Sequence, residues 1–184
     1  MQYPLLTERL SIRPLVLNDL ASFLGYRQDP SIARFQSWEP TYSEHEAREL
    51  IESQAGVILP GKGQWLQLGL RDLVSDELVG DLALHSVVED EGVFELGFTI
   101  AKRHQGQGYA KEAAAMLITY LVAEVGATKF VANTDRRNAA SIAVLLALGF
   151  RRDSSRTWEE NFKNEDVIMD YFETGLLSQG SINT

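Results

Sequence analysis

The segment GFTIAKRHQGQGYAKEAAAMLITYL, residues 97–121, constrains the fold more than any other part of the chain. It predicts a strand, then a turn with Gly106 and Gly108, then a long helix. A helix start needs only a polar cap, so two glycines call for another reason. The first N–H groups of a helix lack intrahelical partners and favour an anion, and glycines let a phosphate approach them closely. The segment therefore predicts a strand–turn–helix unit, and its spacing leaves open whether the turn is a plain connection or an anion-binding loop.

Capping residues and apolar spacing predict about four helices in the chain, one of which follows this turn. Ser43 with Glu46 forms a capping box, and Gly126 and Gly149 are suited to end helices. The predicted helices follow Asn18 and Asp19 up to about Asp29-Pro30, run from Ser43 to about Gly56, run from Ala110 to Gly126, and run from Asn138 to Gly149.

Strand-like segments alternate with these helices in the order β-α-α-β-β-β-α-β-α-β-β. Three consecutive segments predict an antiparallel meander, QWLQLGLRD, ELVGDLALHS and GVFELGFTIA. The others are LTERLSIRPL, KFVAN, about Phe150–Trp158 and about Asp166–Phe172. The expected fold is an α+β single domain with one mixed sheet over residues 1–174, followed by a C-terminal tail, 175–184.

Composition argues against several classes of function. The chain has 184 residues and a formal net charge of −9, and phosphate backbones need basic patches, so we expect no nucleic-acid partner. The absence of cysteine excludes disulfides and a cysteine nucleophile. No apolar run approaches the ~20 residues that span a bilayer, and the first residues do not read as a signal peptide. We therefore expect a cytoplasmic protein with no membrane association, and the scattered histidines predict no metal site.

Two segments are similar to known phosphate-binding motifs but do not match them fully. GVILPGKG, residues 56–63, nearly spells a Walker A loop, but Gly63 stands where a hydroxyl should hold magnesium and a strand follows. A dinucleotide fingerprint fails because Lys111 occupies the place of its third glycine. We interpret the first segment as a turn. In the second segment, only the helix start remains a candidate anion site.

Four stretches together resemble the GNAT superfamily of acyl-CoA N-acyltransferases. QGQGYA, Gln105 to Ala110, is similar to its Gln/Arg-x-x-Gly-x-Gly/Ala signature, and a register beginning at Arg103 also fits. LTERLSIRPL, ELGFTIAKRHQGQGYAKEA and VANTDRRNAASIAVLLALGFRRD resemble, in order, stretches of the RimJ/RimL-like branch that acetylates ribosomal-protein N-termini. The resemblance covers most of the chain and is weakest from Trp38 to Lys62.

The resemblance implies a GNAT fold whose fourth and fifth strands splay apart around the pantetheine arm of CoA. It places Phe98, Thr99 and Ile100 beside that arm, with strand N–H groups that would polarise the thioester carbonyl. Asn138 matches the asparagine that contacts the arm. The pyrophosphate is implied to lie against the glycine loop, whose residues are Gln105, Gly106, Gln107, Gly108, Tyr109 and Ala110.

Acyl transfer to an amine requires one proton to leave the amine and favours one that reaches the thiolate. Glu95 is the candidate base, through water, and the alternative is a solvated strand carboxylate. Ser141 is the candidate acid, because the RimJ/RimL-like branch carries serine in its Asn-x-x-Ser motif. The alternative is local, since Asn138 is a good N-cap and serine is comfortable in a first helical turn.

The sequence therefore predicts an N-acetyltransferase that uses acetyl-CoA and no metal, and acetylates a primary amine directly in a ternary complex. The acceptor, a protein N-terminus or a small-molecule amine, stays open, as does another acyl donor. The rival prediction is a non-catalytic module that senses acyl-CoA. Homodimers are common in the branch, and the sequence leaves the oligomeric state undecided.

Overall fold

The computed structural model describes residues 2–88 and 90–175, and within them eight strands form one mixed sheet. The strand order is β1-β2-β3-β4-β5-β6-β8-β7, and the β5–β6 pair is parallel while the other neighbours are antiparallel. The strands are β1 Leu5–Leu6, β2 Leu10–Pro14, β3 Trp65–Asp72, β4 Leu78–Ser86, β5 Val93–Ile100, β6 Lys129–Asp135, β7 Arg151–Phe162 and β8 Glu165–Glu173. The predicted mixed, mostly antiparallel sheet is confirmed, and residues 176–184 of the predicted tail lie outside the described part of the chain.

The parallel pair β5–β6 separates after three residue pairs. Its register ends at Glu95 opposite Val131. Beyond this point β5 runs on to Ile100 and β6 runs on to Asp135 without pairing to each other. The splayed strand pair implied by the resemblance is therefore present, and it opens a gap in the middle of the sheet.

Five α-helices lie in the described residues, α1 Leu20–Arg27, α2 Pro30–Ala33, α3 Glu44–Ser53, α4 Tyr109–Tyr120 and α5 Ala139–Ala147. The capping box of Ser43 and Glu46 is formed at α3. A π-helical turn extends α4 to Gly126, whose φ of 76° closes it. No helix in residues 2–88 and 90–175 combines the length and the apolarity needed to cross a bilayer.

The prediction missed α2, because Asp29-Pro30 was interpreted only as the end of α1. Proline is also well suited to the first turn of a helix, and Asp29 accepts the N–H of Ser31 at 2.8 Å as an N-cap. Asp19 also differs from expectation. Its carboxylate accepts the N–H of Val16 at 2.9 Å and thus caps the short 3₁₀ turn before α1 rather than α1 itself.

Side-chain alternation along the strands divides the core between the two faces of the sheet. On one face, Leu82 and Leu84 of β4 join α4 in a cluster with Ala113, Ala114 and Leu117. On the other face lie α1 and α3, where Tyr26 donates a hydrogen bond of 2.5 Å to Asp81 of β4. Both faces are covered, so the gap between β5 and β6 is enclosed from two sides.

Candidate active site

A cleft of about 460 Å³ occupies the gap between β5 and β6. It is lined by the unpaired end of β5, by residues 132–134 of β6, by the first turns of α4 and α5 and by residues of α2 and the loop after it. Of the sequence-predicted site residues, the cleft brings together Phe98, Thr99, Ile100, Gln105, Gly106, Gly108, Tyr109, Ala110, Asn138 and Ser141. Glu95 and Gln107 are not part of its lining.

The glycine loop presents bare backbone to this cleft. Gly106 and Gly108 have φ values of 75° and 82°, which L residues with a side chain rarely adopt. A Cβ added at Gly106 would meet nothing within 4 Å. Within the described chain, the N–H groups of residues 106–111 make no hydrogen bond, and Glu112 is the first to donate back, to Gly108. The loop and the helix start therefore form a row of free donors with positive electrostatic potential, which suits an anion.

Glu112 fixes the start of α4 against the first strands. Its carboxylate accepts the hydroxyl of Thr7 at 2.5 Å, the N–H of Arg9 at 3.0 Å and Nε of Arg9 at 2.7 Å. Burial alone would raise the pKa of Glu112, but these hydrogen bonds outweigh it and lower the pKa. The free donors of the loop are thus held in place by an ionised carboxylate one turn further along the helix.

The side chains of the loop turn away from the row of donors. Gln105 donates to the carbonyl of Ile100 at 2.9 Å, and Gln107 donates to the carbonyl of Arg103 at 3.3 Å. Tyr109 donates its hydroxyl to Asp72 at 3.2 Å. What these residues offer the cleft is therefore their backbone, while their side chains stabilise the turn.

Asn138 and Ser141 lie together at the start of α5. Oδ1 of Asn138 accepts the N–H of Ser141 at 3.1 Å, so the predicted N-cap is present. The capping interaction leaves the Nδ2 donor of Asn138 unused, and the Ser141 hydroxyl has no hydrogen-bond partner within the described residues. Both side chains line the cleft, so each has a polar group to offer a ligand.

A buried carboxylate, Asp170 of β8, holds the loop that leads into α5. It accepts Arg136 at 2.8 Å and Arg152 at 2.6 Å, and its own side chain is fully buried. Burial alone would raise the pKa of Asp170, but the hydrogen bonds from the two arginines outweigh it and lower the pKa. Because Arg136 precedes Asn138 by two residues, this ion-pair cluster helps to position Asn138 and Ser141.

Glu95 lies at the point where the β5–β6 pairing ends. Its Oε1 accepts Nδ2 of Asn133 at 2.9 Å, and Asn133 itself lines the cleft. Its Oε2 lies 3.3 Å from Nδ1 of His85 on β4, an ion-pair distance without hydrogen-bond geometry. The alternative of a freely solvated carboxylate is not what the structure shows, since the Glu95 side chain is about one-quarter exposed and has two partners.

Sequence reasoning missed several residues of the lining. His104 is largely buried and lines the cleft, and burial together with Arg103 lowers its pKa. Lys111 was noted only as an interruption of a fingerprint, yet it lines the cleft. The polar run VANTD after an apolar strand was the available signal for Asn133, whereas no local signal marks Ile32 and Phe35, which the cleft gains from α2 and the loop after it.

Three aromatic residues, Trp38, Tyr42 and Trp65, make their contacts away from the cleft. Trp38 and Tyr42 surround the guanidinium of Arg27, whose central carbon lies 3.8 Å and 5.0 Å from their ring centroids. Trp65 stacks on His85 with ring centroids 4.7 Å apart. None of these three aromatic residues lines the cleft described above.

A strand pair that opens beside a row of free N–H groups is the architecture of an N-acyltransferase. A family model described as the acetyltransferase (GNAT) domain matches residues 9–151, and the chain therefore belongs to the GNAT acetyltransferase family. The family resemblance drawn from the sequence is confirmed, and with it an enzyme of the N-acetyltransferase class.

Relatives and solved structures agree with this assignment. The chain is 26% identical over 175 residues to the uncharacterized N-acetyltransferase p20 of Bacillus licheniformis, covering 95% of this chain and 96% of that protein. The RimL ribosomal L7/L12 α-N-protein acetyltransferase, solved in complex with coenzyme A, is 14% identical with a TM-score of 0.80, covering 97% and 99%. Spermidine N-acetyltransferase of Vibrio cholerae, solved with CoA and spermine, is 20% identical with a TM-score of 0.72, covering 88% and 94%. These two structures share the fold.

Proposed function

We propose that the enzyme transfers the acetyl group of acetyl-CoA directly to a primary amine while both are bound. The observation that carries this proposal is the row of free N–H groups at residues 106–111, which opens into the same cleft as the free hydroxyl of Ser141. One end of the cleft is thus suited to a pyrophosphate, and Ser141 lies in position for the acyl end. The absence of cysteine excludes an acyl-cysteine relay, so the amine attacks the thioester itself.

The residues present fit an acyl-CoA. The free donors of residues 106–111 are suited to pyrophosphate oxygens, and Lys111 adds a positive charge beside them. The edge of β5 beyond Glu95 does not pair with β6 and can pair with an extended amide chain instead. Acetyl-CoA supplies the activated acyl group, and both structural neighbours described above were solved with CoA.

Two side chains then act on the leaving side of the reaction. Asn138 has its Nδ2 donor free to hold the pantetheine arm while its Oδ1 caps α5. Ser141 has its hydroxyl free to donate a proton to the departing thiolate. We assign Glu95 to the amine-deprotonating side, because its carboxylate accepts Asn133, which lines the cleft.

The acceptor we propose carries one primary amine on an otherwise uncharged body, such as a protein N-terminus or a small-molecule amine. Among the described residues, the lining contains no aspartate or glutamate, and Ser31, Ile32, Phe35 and Gln36 contribute uncharged side chains to it. A polyamine carries several positive charges, and these need carboxylates nearby when they are desolvated. The lining therefore favours a singly charged amine over spermidine.

The test combines thermal unfolding with steady-state turnover. Acetyl-CoA and CoA at ~100 times their Kd should each stabilise the protein by about 2.7 kcal/mol, and ATP should not. CoA release is then measured with an uncharged peptide bearing a free N-terminus, with a small monoamine and with spermidine. The absence of a shift with acetyl-CoA would refute the donor. A shift without turnover on any amine would favour the sensor module, and turnover on spermidine alone would refute the acceptor class.

A further inference from the structure

The strand β4, in the middle of the sheet, carries a buried polar atom without a hydrogen-bond partner in the described residues. Nδ1 of His85 is buried and makes no hydrogen bond within the described residues. Buried polar atoms in native proteins are nearly always hydrogen-bonded, and exceptions at functional sites often have a catalytic reason. The acceptor that faces this atom is Oε2 of Glu95, 3.3 Å away.

The ring of His85 is held in one orientation. His85 and Glu95 are direct cross-strand partners in the β4–β5 ladder, and His85 is likewise opposite Trp65 in the β3–β4 ladder. Trp65 stacks on the imidazole at an interplanar angle of 13°. Among the described residues, Glu95 is the charged group within ion-pair distance of the ring. The ring is therefore fixed by an indole on one side and a carboxylate at Nδ1.

The other ring nitrogen is free and reaches the surface. Nε2 of His85 has no hydrogen-bond partner in the described chain and is not a buried atom, although the side chain as a whole is only 19% exposed. Glu95, in turn, is bonded to Asn133, and the next residues, Leu96 and Gly97, line the cleft. Neither His85 nor Glu95 lines the cleft itself, and the pair lies beside it, where the β5–β6 pairing ends.

We infer that His85 and Glu95 form a carboxylate–imidazole pair in which Nε2 of His85 accepts the proton that the acceptor amine loses. This inference rests on the proposed function. Glu95 holds the proton of the neutral ring on Nδ1 and stabilises the imidazolium that forms, so its role is to orient His85 rather than to act as the base itself. Hydrogen bonds of this kind are often long before substrate binds, which agrees with the 3.3 Å separation.

The reaction balances with these groups. The amine nitrogen forms a bond to the thioester carbonyl carbon, and the carbon–sulfur bond breaks with its electron pair leaving on sulfur. The amine proton passes to Nε2 of His85, directly or through one water, and then to solvent. The sulfur gains a proton from Ser141, whose hydroxyl is restored from solvent.

The first experiment examines the ring itself, in the protein without any ligand. Imidazole ¹⁵N shifts report which ring nitrogen carries the proton, and the chain has only three histidines to assign, with His45→Gln and His104→Gln as assignment variants. We expect His85 to carry its proton on Nδ1 at pH 8 and to lose this preference in Glu95→Gln. A proton on Nε2 in the wild type would overturn the inference, whether or not the enzyme acetylates amines.

The second experiment measures turnover. His85→Gln should lower kcat/KM by about 100-fold, leave the thermal shift with acetyl-CoA unchanged, and recover part of its rate with added imidazole. The matched control is His45→Gln, an exposed histidine of α3 outside the cleft, which should keep full activity. Full activity in a folded His85→Gln would overturn the inference and leave the proposed function intact. If His85→Gln does not fold, Glu95→Gln decides, because an unchanged kcat/KM in that variant would overturn the inference.

Discussion

The glycine loop lines the cleft and the His85–Glu95 pair of β4 and β5 lies beside it, and the two regions offer different groups. At the loop, the groups that face a ligand are the N–H groups of residues 106–111, while the side chains of Gln105, Gln107 and Tyr109 turn away. At the strand pair, the groups are the side chains of His85 and Glu95, placed opposite each other by the β-ladder. The groups at the glycine-loop end of the cleft are therefore backbone groups, and those beside its other end are side chains.

This difference determines what each end tolerates. A backbone site is insensitive to the identity of most side chains but sensitive to any Cβ at a positive φ. A side-chain site that transfers protons fails when its functional group is removed. Substitutions of similar size at the two ends should therefore fail in different measurements, binding at one end and turnover at the other.

The largest effect is expected at Ser141, whose hydroxyl lines the cleft at the start of α5. Ser141→Ala should lower kcat by about 100-fold, because the thiolate loses its proton donor. Acetyl-CoA binding should stay unchanged, since the Ser141 N–H still donates to Asn138. Single-turnover kinetics and thermal shifts measure the two quantities separately. An unchanged rate would remove Ser141 from the mechanism, and Ser53→Ala on α3 is the control.

The second prediction concerns Asp170, whose ion-pair cluster lies behind the start of α5. Asp170→Asn should lower the free energy of unfolding by about 2 kcal/mol at pH 7. This is below the roughly 3–5 kcal/mol for breaking a buried pair, since Arg136 and Arg152 are about two-fifths exposed. Urea unfolding measures it. Equal stability of the two proteins would show that the cluster contributes nothing.

The same residue predicts a pH dependence. The lowered pKa of Asp170, set by Arg136 and Arg152 against the effect of burial, means that its carboxylate stabilises the folded state. The stabilisation is complete above the ordinary aspartate pKa of about 3.9 and is lost as the pH falls through the lowered value. The difference between wild type and Asp170→Asn should therefore shrink below pH ~4. A constant difference from pH 2 to 6 would contradict this.

Gly106 and Gly126 offer a matched pair at the two ends of α4 and its π-helical extension. Their φ values are 75° and 76°, and an added Cβ meets nothing within 4 Å at either. Alanine at each should cost about 1–2 kcal/mol of stability. Only Gly106→Ala should weaken acetyl-CoA binding, by roughly 10-fold or about 1.4 kcal/mol, measured by calorimetry. Equal affinities in the two variants would show that the glycine loop is a plain turn with no role in binding.

The smallest effect is expected at Asn138, where two variants separate the capping of α5 from the binding of acetyl-CoA. Asn138→Ala should lose the cap of α5, about 1 kcal/mol, whereas Asn138→Asp keeps the oxygen that accepts the Ser141 N–H. Both variants lose the Nδ2 donor, so both should bind acetyl-CoA more weakly. Thermal unfolding and calorimetry on the pair check this. Normal affinity in Asn138→Asp would restrict Asn138 to capping.

The sequence by itself determined the features that depend on neighbouring residues. Gly106 and Gly108 before a helical run, Asn138 three residues before Ser141, and Ser43 three before Glu46 are local patterns, and the structure has the turn, the cap and the capping box they predict. Alternation of apolar residues likewise predicted the meander of β3, β4 and β5. These signals are reliable because dihedral preferences and capping act within one turn of chain.

Only the tertiary structure decided which distant residues meet. His85 faces Glu95 because of the β4–β5 register, and Asp170 faces Arg136 and Arg152 because β8 lies between β6 and β7. His104 is largely buried because the loop folds onto the cleft. A one-residue slip of register would reverse the face of every side chain on a strand, so no local pattern encodes such pairs. Sheet pairing and packing, which sum many weak contacts over the whole chain, set them instead.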